Sequence, residues 1–202
     1  MTPDAFSPAA WREMRATRPA MATFLMLLSV VAIALPLAVS FGLSNSCQVC
    51  TADQDPTCPP AARAQPPAAV FVSVWSVNYA FLGLILARHL VSTFMHMYLP
   101  RPGRTEVKYG ESWGKTTAIL LINAVVFLAN LVLNWVWIVK FGCDQQVVTS
   151  RLILWFILAT AMMAFAGFCK LDTPNAMMYG FYTAWLVFAL MLNQDVAAQT
   201  NP

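Results

Sequence analysis

Charge is what this sequence has least of. Lysine, arginine, aspartate and glutamate together make 10% of its 202 residues, against about 25% in a soluble domain. Acidic side chains are missing altogether from 20–43, 66–87, 116–139, 152–169 and 173–194. Inside those stretches acid–base catalysis has no carboxylate pair to use, and neither a Ser/His/Asp set nor a phosphate-binding glycine loop is present. Histidine is nearly absent as well, with only His89 and His96. Neither falls in the loops that carry most of the cysteines, which excludes a Cys/His zinc pattern there, and no metal site is expected. There is no internal repeat or low-complexity tract. The basic residues flank apolar runs instead of forming a patch, so nucleic acid is not an expected partner.

What fills the space is apolar. Hydrophobic residues make 59% of the chain, and the mean hydropathy is +0.61. Each of the five acid-free runs has about the 17–25 residues needed to cross ~30 Å of hydrocarbon. The expected fold is therefore an all-α membrane protein, a five-transmembrane-helix bundle in the lipid bilayer. The first run could instead be read as a signal peptide behind Arg12, Arg15 and Arg18. Its apolar part, Met21 to Leu37, exceeds the usual 7–15 residues, so it is taken as a helix with a kink expected at Pro36. Residues 1–19 then form an interfacial segment anchored by Trp11, 20–194 the membrane domain, and 195–202 a tail.

The basic residues also set an orientation. Arg12, Arg15, Arg18, Arg88, Arg101, Arg104, Lys108, Lys115 and Lys170 fall on one side, and Arg63, Lys140 and Arg151 on the other. The richer side is expected inside, which places the N-terminus there. The second loop, Arg88 to Lys115, contains Pro100-Arg101-Pro102-Gly103 and reads as a flexible connection ending at an interfacial Trp113. Cys47, Cys50, Cys58 and Cys143 then share the outer face, with Cys169 inside. Four thiols on an oxidising face suggest one or two disulfides, with three pairings open. The sharper alternative reads Cys47-Gln48-Val49-Cys50 as the redox pair of a membrane thiol–disulfide oxidoreductase; a CxxC by itself is a weak signal.

Polar side chains inside the runs are the candidate site. In the second run Phe71, Trp75, Asn78 and Leu82 lie on one helical stripe, which should face protein. Asn123, Asn130, Asn134 and Trp137 share a face of the third. Tyr182, Trp185, Phe188 and Asn193 mark the fifth. Trp75, Asn130 and Trp185 each lie nine residues from the outer end of their run, about 14 Å deep at 1.5 Å per residue. Two readings fit equally: an aromatic-lined pocket in the outer half, or amides and rings acting as interhelical glue. His89 and His96 belong to the other end and read as interfacial or solvated rather than as haem ligands.

These residues carry a family resemblance. Pro66-Pro67 with Trp75, Tyr79 and Gly83 resembles the PP…VWxxxYxxxG segment of the TspO/MBR family, the translocator or tryptophan-rich sensory proteins. Asn130-Leu-Val-Leu-Asn134-Trp135-Val136-Trp137 resembles its (Q/N)LxLNxxW stretch. Phe181 to Asn193 resembles its PYxxWxxFAxxLN signature. The resemblance implies a five-helix bundle, often dimeric, with a pocket closed by the first loop. It implies a receptor, sensor or translocator binding tetrapyrroles (porphyrin or haem-related), and also sterols and benzodiazepine-type drugs, with no required cofactor. It carries over Trp75, Asn130, Asn134, Tyr182 and Trp185, together with Phe71, as pocket lining. Some members have been connected with light-dependent porphyrin breakdown through similar tryptophans. The chain departs from the pattern in three places. Ala64-Gln65 stands where a tryptophan usually precedes the proline pair, Phe181 replaces a proline, and the tail after Asn193 lacks the Tyr and Arg of the proposed sterol motif.

Overall fold

The computed structural model describes residues 8–46, 68–98, 106–107, 111–144 and 146–200. Six α-helices dominate it: α1 (Pro8–Thr17), α2 (Pro19–Ser46), α3 (Ala68–Tyr98), α4 (Trp113–Ile138), α5 (Val147–Leu171) and α6 (Thr173–Thr200). A π-helical turn, Val139–Cys143, extends α4. Between α3 and α4 two short strands, β1 (Glu106–Val107) and β2 (Glu111–Ser112), pair antiparallel. The loop expected to be a flexible basic connection thus contains a small antiparallel strand pair.

Helices α2 to α6 are each long and apolar enough to cross a membrane. They run past the acid-free stretches, because a helix does not stop where the hydrocarbon does. Their backbone groups stay paired within the helix, which is the only open-ended solution for a chain in lipid. Proline punctuates without breaking: Pro19 opens α2, where its missing N–H costs nothing, and α2 continues through Pro36. Asp172 alone separates α5 from α6. It caps the turn by donating its backbone N–H to Phe168 O at 2.8 Å and accepting from Ala176 N at 3.0 Å.

Packing closes the five spans into a ring. α2 lies beside α3, α3 beside α6, α6 beside α5, α5 beside α4, and α4 beside α2, while α3 also reaches α4. An odd ring of alternating helices must contain one parallel pair, here α2 and α4. The tightest approach is between α2 and α3. A Cβ on Gly83 would stand 2.6 Å from the Ile33 carbonyl oxygen and 2.9 Å from its Cα. Only glycine lets the two backbones meet so closely, the close-approach role that small residues have between membrane helices. α2 is the least buried of the spans, so this contact is its principal anchor.

α1 does not cross. Met14 is buried in a small cluster with Ala22, Leu25 and Val91, against Met21, Leu28 and Phe94. The helix is interrupted at Arg18, between the last hydrogen bond of α1 (Arg18 N to Met14 O, 2.8 Å) and the first of α2 (Ala22 N to Arg18 O, 3.1 Å).

Gly83→Ala should lower the melting temperature of the purified protein, with an overpacking cost of about 1–3 kcal/mol. Gly114→Ala, where a Cβ meets nothing within 4 Å, should leave it unchanged.

Candidate functional site

The interior of the ring is a column of aromatic rings and amides. At the end that carries α1, His89 of α3 is buried, with Nε2 3.1 Å from the Leu120 carbonyl oxygen of α4. A carbonyl only accepts, so Nε2 carries the proton in this bond. The imidazole also stands edge-on to Phe168 of α5, at a centroid distance of 5.5 Å. His89 is therefore not the solvated or interfacial side chain its position suggested: it sits inside the helix packing, where the Leu120 carbonyl supplies its partner. Beside it, Arg88 grips Asp172 with Nη2 3.2 and 3.1 Å from the two carboxylate oxygens, and donates from Nε to Asn175 Oδ1 at 3.2 Å. This fork ties α3 to the α5–α6 corner. His96 lies on α3, and its side chain is outside the described residues.

Midway along the column, Asn130, Asn134 and Tyr182 form one hydrogen-bonded group with no exposure to solvent. Asn130 Nδ2 donates to the Ile157 carbonyl at 2.7 Å and to Thr160 Oγ1 at 2.9 Å, joining α4 to α5. Its Oδ1 accepts from the Tyr182 hydroxyl at 2.8 Å, joining α4 to α6. Asn134 Nδ2 donates to the Asn130 carbonyl at 2.9 Å and to Tyr182 Oη. Both donors of Asn130 are thus engaged within the protein, which makes it interhelical glue in this conformation. The Oδ1 of Asn134 has no hydrogen-bond partner.

Above that group the indoles gather. Trp75 of α3 stacks on Trp137 of α4 at 5.3 Å and 27°, and meets Trp185 of α6 edge-on at 6.1 Å and 86°. Tyr79 stacks beneath Trp75 at 5.5 Å, and Phe188 adjoins Trp185 at 5.1 Å. Phe141 of the π turn lies nearly parallel to Trp137, 5.0 Å away and tilted by 10°. The common depth expected for Trp75 and Trp185 is realised as direct contact. Sequence reasoning put Trp137 on the right face of its helix but did not set it beside Trp75. The signal was there, since Trp137 is one turn from Asn134 and both lie on the buried face. Phe141 could not have been placed, because its position depends on the π winding.

Phe71 lies on α3, and its side chain is outside the described residues. So are Cys47, Cys50 and Cys58. Cys143, at the end of the π turn, is disulfide-bonded, and Cys169 is an exposed free thiol. Among the described residues no group of three or more His, Cys, Asp or Glu side chains could hold a metal ion.

A closed ring of five apolar helices with an aromatic and amide interior defines an integral, polytopic α-helical membrane protein. The sequence profile of the TspO/MBR family matches residues 30–198, most of the chain. The chain belongs to the TspO/MBR family, which supports the general role of membrane sensor or translocator. No curated protein matches the sequence.

Replacing Asn130 by Leu should destabilise the bundle by about 1–3 kcal/mol, because the Tyr182 hydroxyl would lose the Oδ1 that accepts its proton and α4 would lose its amide tie to α5. A denaturant or thermal titration in detergent reads this. A double-mutant cycle with Arg88→Gln and Asp172→Asn should show positive coupling, as hydrogen bonds to charged groups contribute about 1.5–3 kcal/mol each.

Proposed function

We propose that this protein binds a flat, largely apolar small molecule, a tetrapyrrole of the porphyrin or haem-related kind, at the indole end of its ring. The observation that carries this reading is the meeting of Trp75, Trp137 and Trp185, drawn from α3, α4 and α6. Indoles on three separate helices can part and re-stack around a planar guest, exchanging ring–ring contacts for ring–ligand contacts of similar kind.

Unmet polar atoms support the same place. The Asn134 Oδ1 acceptor, the Trp137 Nε1–H donor and the Asn78 Nδ2 donor are buried without hydrogen-bond partners. Asn78 follows Trp75 by one helical turn, and Asn134 precedes Trp137 by one turn. Because α3 and α4 run in opposite senses, both amides fall on the inward side of the indole pair. Buried polar atoms left over by the protein are what a ligand with a polar edge would use. In this reading Trp75, Trp137 and Trp185 stack on the ligand, Phe71 extends the same stripe, and Asn134 meets the polar edge. Asn130 and Tyr182 form the floor, fixed by their bonds to α5 and to each other. Sterol-like and benzodiazepine-type ligands would use the same apolar surfaces without the stacking advantage of a macrocycle.

The oxidoreductase alternative has no comparable support. Among the described residues no two cysteines come together, and Cys47 and Cys50 lie outside them.

The test is a Soret-band titration of protoporphyrin IX into the purified wild type and a Trp75→Ala, Trp185→Ala double variant. The variant should bind at least about tenfold more weakly, the loss expected from two stacking contacts. Equal affinity in a folded variant would overturn the site.

A further inference from the structure

We propose that α1 and the rim of the bundle beside it form a binding surface for anionic phospholipid headgroups. The inference goes beyond the ligand site, which lies at the opposite end of the ring, and rests on different residues.

The first observation is that α1, set off from α2 by the break at Arg18, is held with Met14, which is 3% exposed, in one cluster with Ala22, Leu25 and Val91. α1 is thus part of the folded body, fixed at the level where the apolar spans begin. A helix too short and too polar to cross, held at that level by one apolar anchor, lies where the headgroups of a bilayer are. The second observation is the charge it presents. Arg12 and Arg15 are one turn apart and exposed, so their guanidinium groups share a face. Lys115, at the start of α4, and Lys170, at the end of α5, are exposed on the same end of the bundle.

The third observation is the charge balance among the described side chains. Among the described side chains the only acids are Asp144 and Asp172. Asp144 is at the opposite end, paired with Lys140 at 2.6 Å. Asp172 is at this end, but it is held by Arg88. Arg12, Arg15, Lys115 and Lys170 therefore form a cationic rim without a protein counter-charge among the described side chains. At the opposite end the described side chains are the paired Lys140 and Asp144 together with Arg151. Each Lys or Arg near an anionic leaflet is worth about 1 kcal/mol of attraction. Arginine adds a planar fork that matches phosphate oxygens. The occupant that fits is a lipid phosphodiester with its acyl chains alongside α2, whose outward face presents Phe24, Leu27 and Val31 to the bilayer.

The experiment is native mass spectrometry of the full chain in detergent, titrated separately with dioleoyl phosphatidylglycerol and dioleoyl phosphatidylcholine. The wild type should bind phosphatidylglycerol at least about tenfold more tightly than phosphatidylcholine. Arg12→Gln with Arg15→Gln should remove most of that preference, as expected for the loss of two basic residues at about 1 kcal/mol each. Either single substitution should remove part of it, and Lys140→Gln at the other end none. Melting temperature in phosphatidylcholine, unchanged from wild type, verifies the fold of each variant. A wild type that does not distinguish the two lipids overturns the proposal, and so does a preference that survives the double substitution. Full competition by soluble glycerol phosphate also overturns it, since the rim would then be a simple anion site and not a lipid surface.

Discussion

The structure depends on one constraint: a polar group buried among membrane helices has no water to turn to. Asn130, Asn134 and Tyr182 answer it collectively. Each donor and acceptor they satisfy belongs to a neighbouring helix or to one another, so three spans are fixed in register by a handful of atoms. The energy of any one bond is modest, because the same groups would find other partners in a loosened bundle. Their importance lies in uniqueness. Leucine, valine and methionine pack almost as well in several rotations of a helix, whereas an amide that must meet the Ile157 carbonyl and a phenol at the same time permits one.

That middle layer divides the interior into two environments. On the α1 side, Phe127, Phe168, Tyr179 and His89 pack closely, and a bidentate ion pair secures the corner between α5 and α6. On the far side the rings are larger and meet mainly one another, and several of the polar atoms around them lack partners. Unmet polar atoms occur in the first region too, Tyr179 Oη and Asn123 Nδ2 among them. The second sets such atoms beside three indoles drawn from separate helices, which is why a functional reading belongs there.

How much of this was legible beforehand depended on the physics involved. Five spans followed from where charge is absent, and nothing in the structure revises that number. The inward faces of α3 and α4 followed from helical periodicity: Trp75, Asn78, Leu82, Asn123, Asn130, Asn134 and Trp137 are all buried. Partnership was harder. Periodicity gives the face of a helix but not the neighbour that meets it, so the stack of Trp137 on Trp75 and the fork from Arg88 to Asp172 show only in the folded bundle. His89 was misplaced for a related reason. Its sequence position near Arg88 suggested the water boundary, but α3 extends to Tyr98, more than two turns beyond it, and the carbonyl that accepts its proton belongs to another helix.

The fork from Arg88 also has a consequence in time. Its partners lie 84 and 87 positions further along the chain, whereas α2 with α3, α4 with α5, and α5 with α6 are hairpin neighbours that can zip as soon as both members exist. During synthesis the first four spans must wait in the bilayer with one side of α3 uncovered, and the circle shuts only when the last helix is delivered. Closure of the ring therefore waits on α6: a chain halted at Leu171 would have every local hairpin but the last, and no enclosed interior.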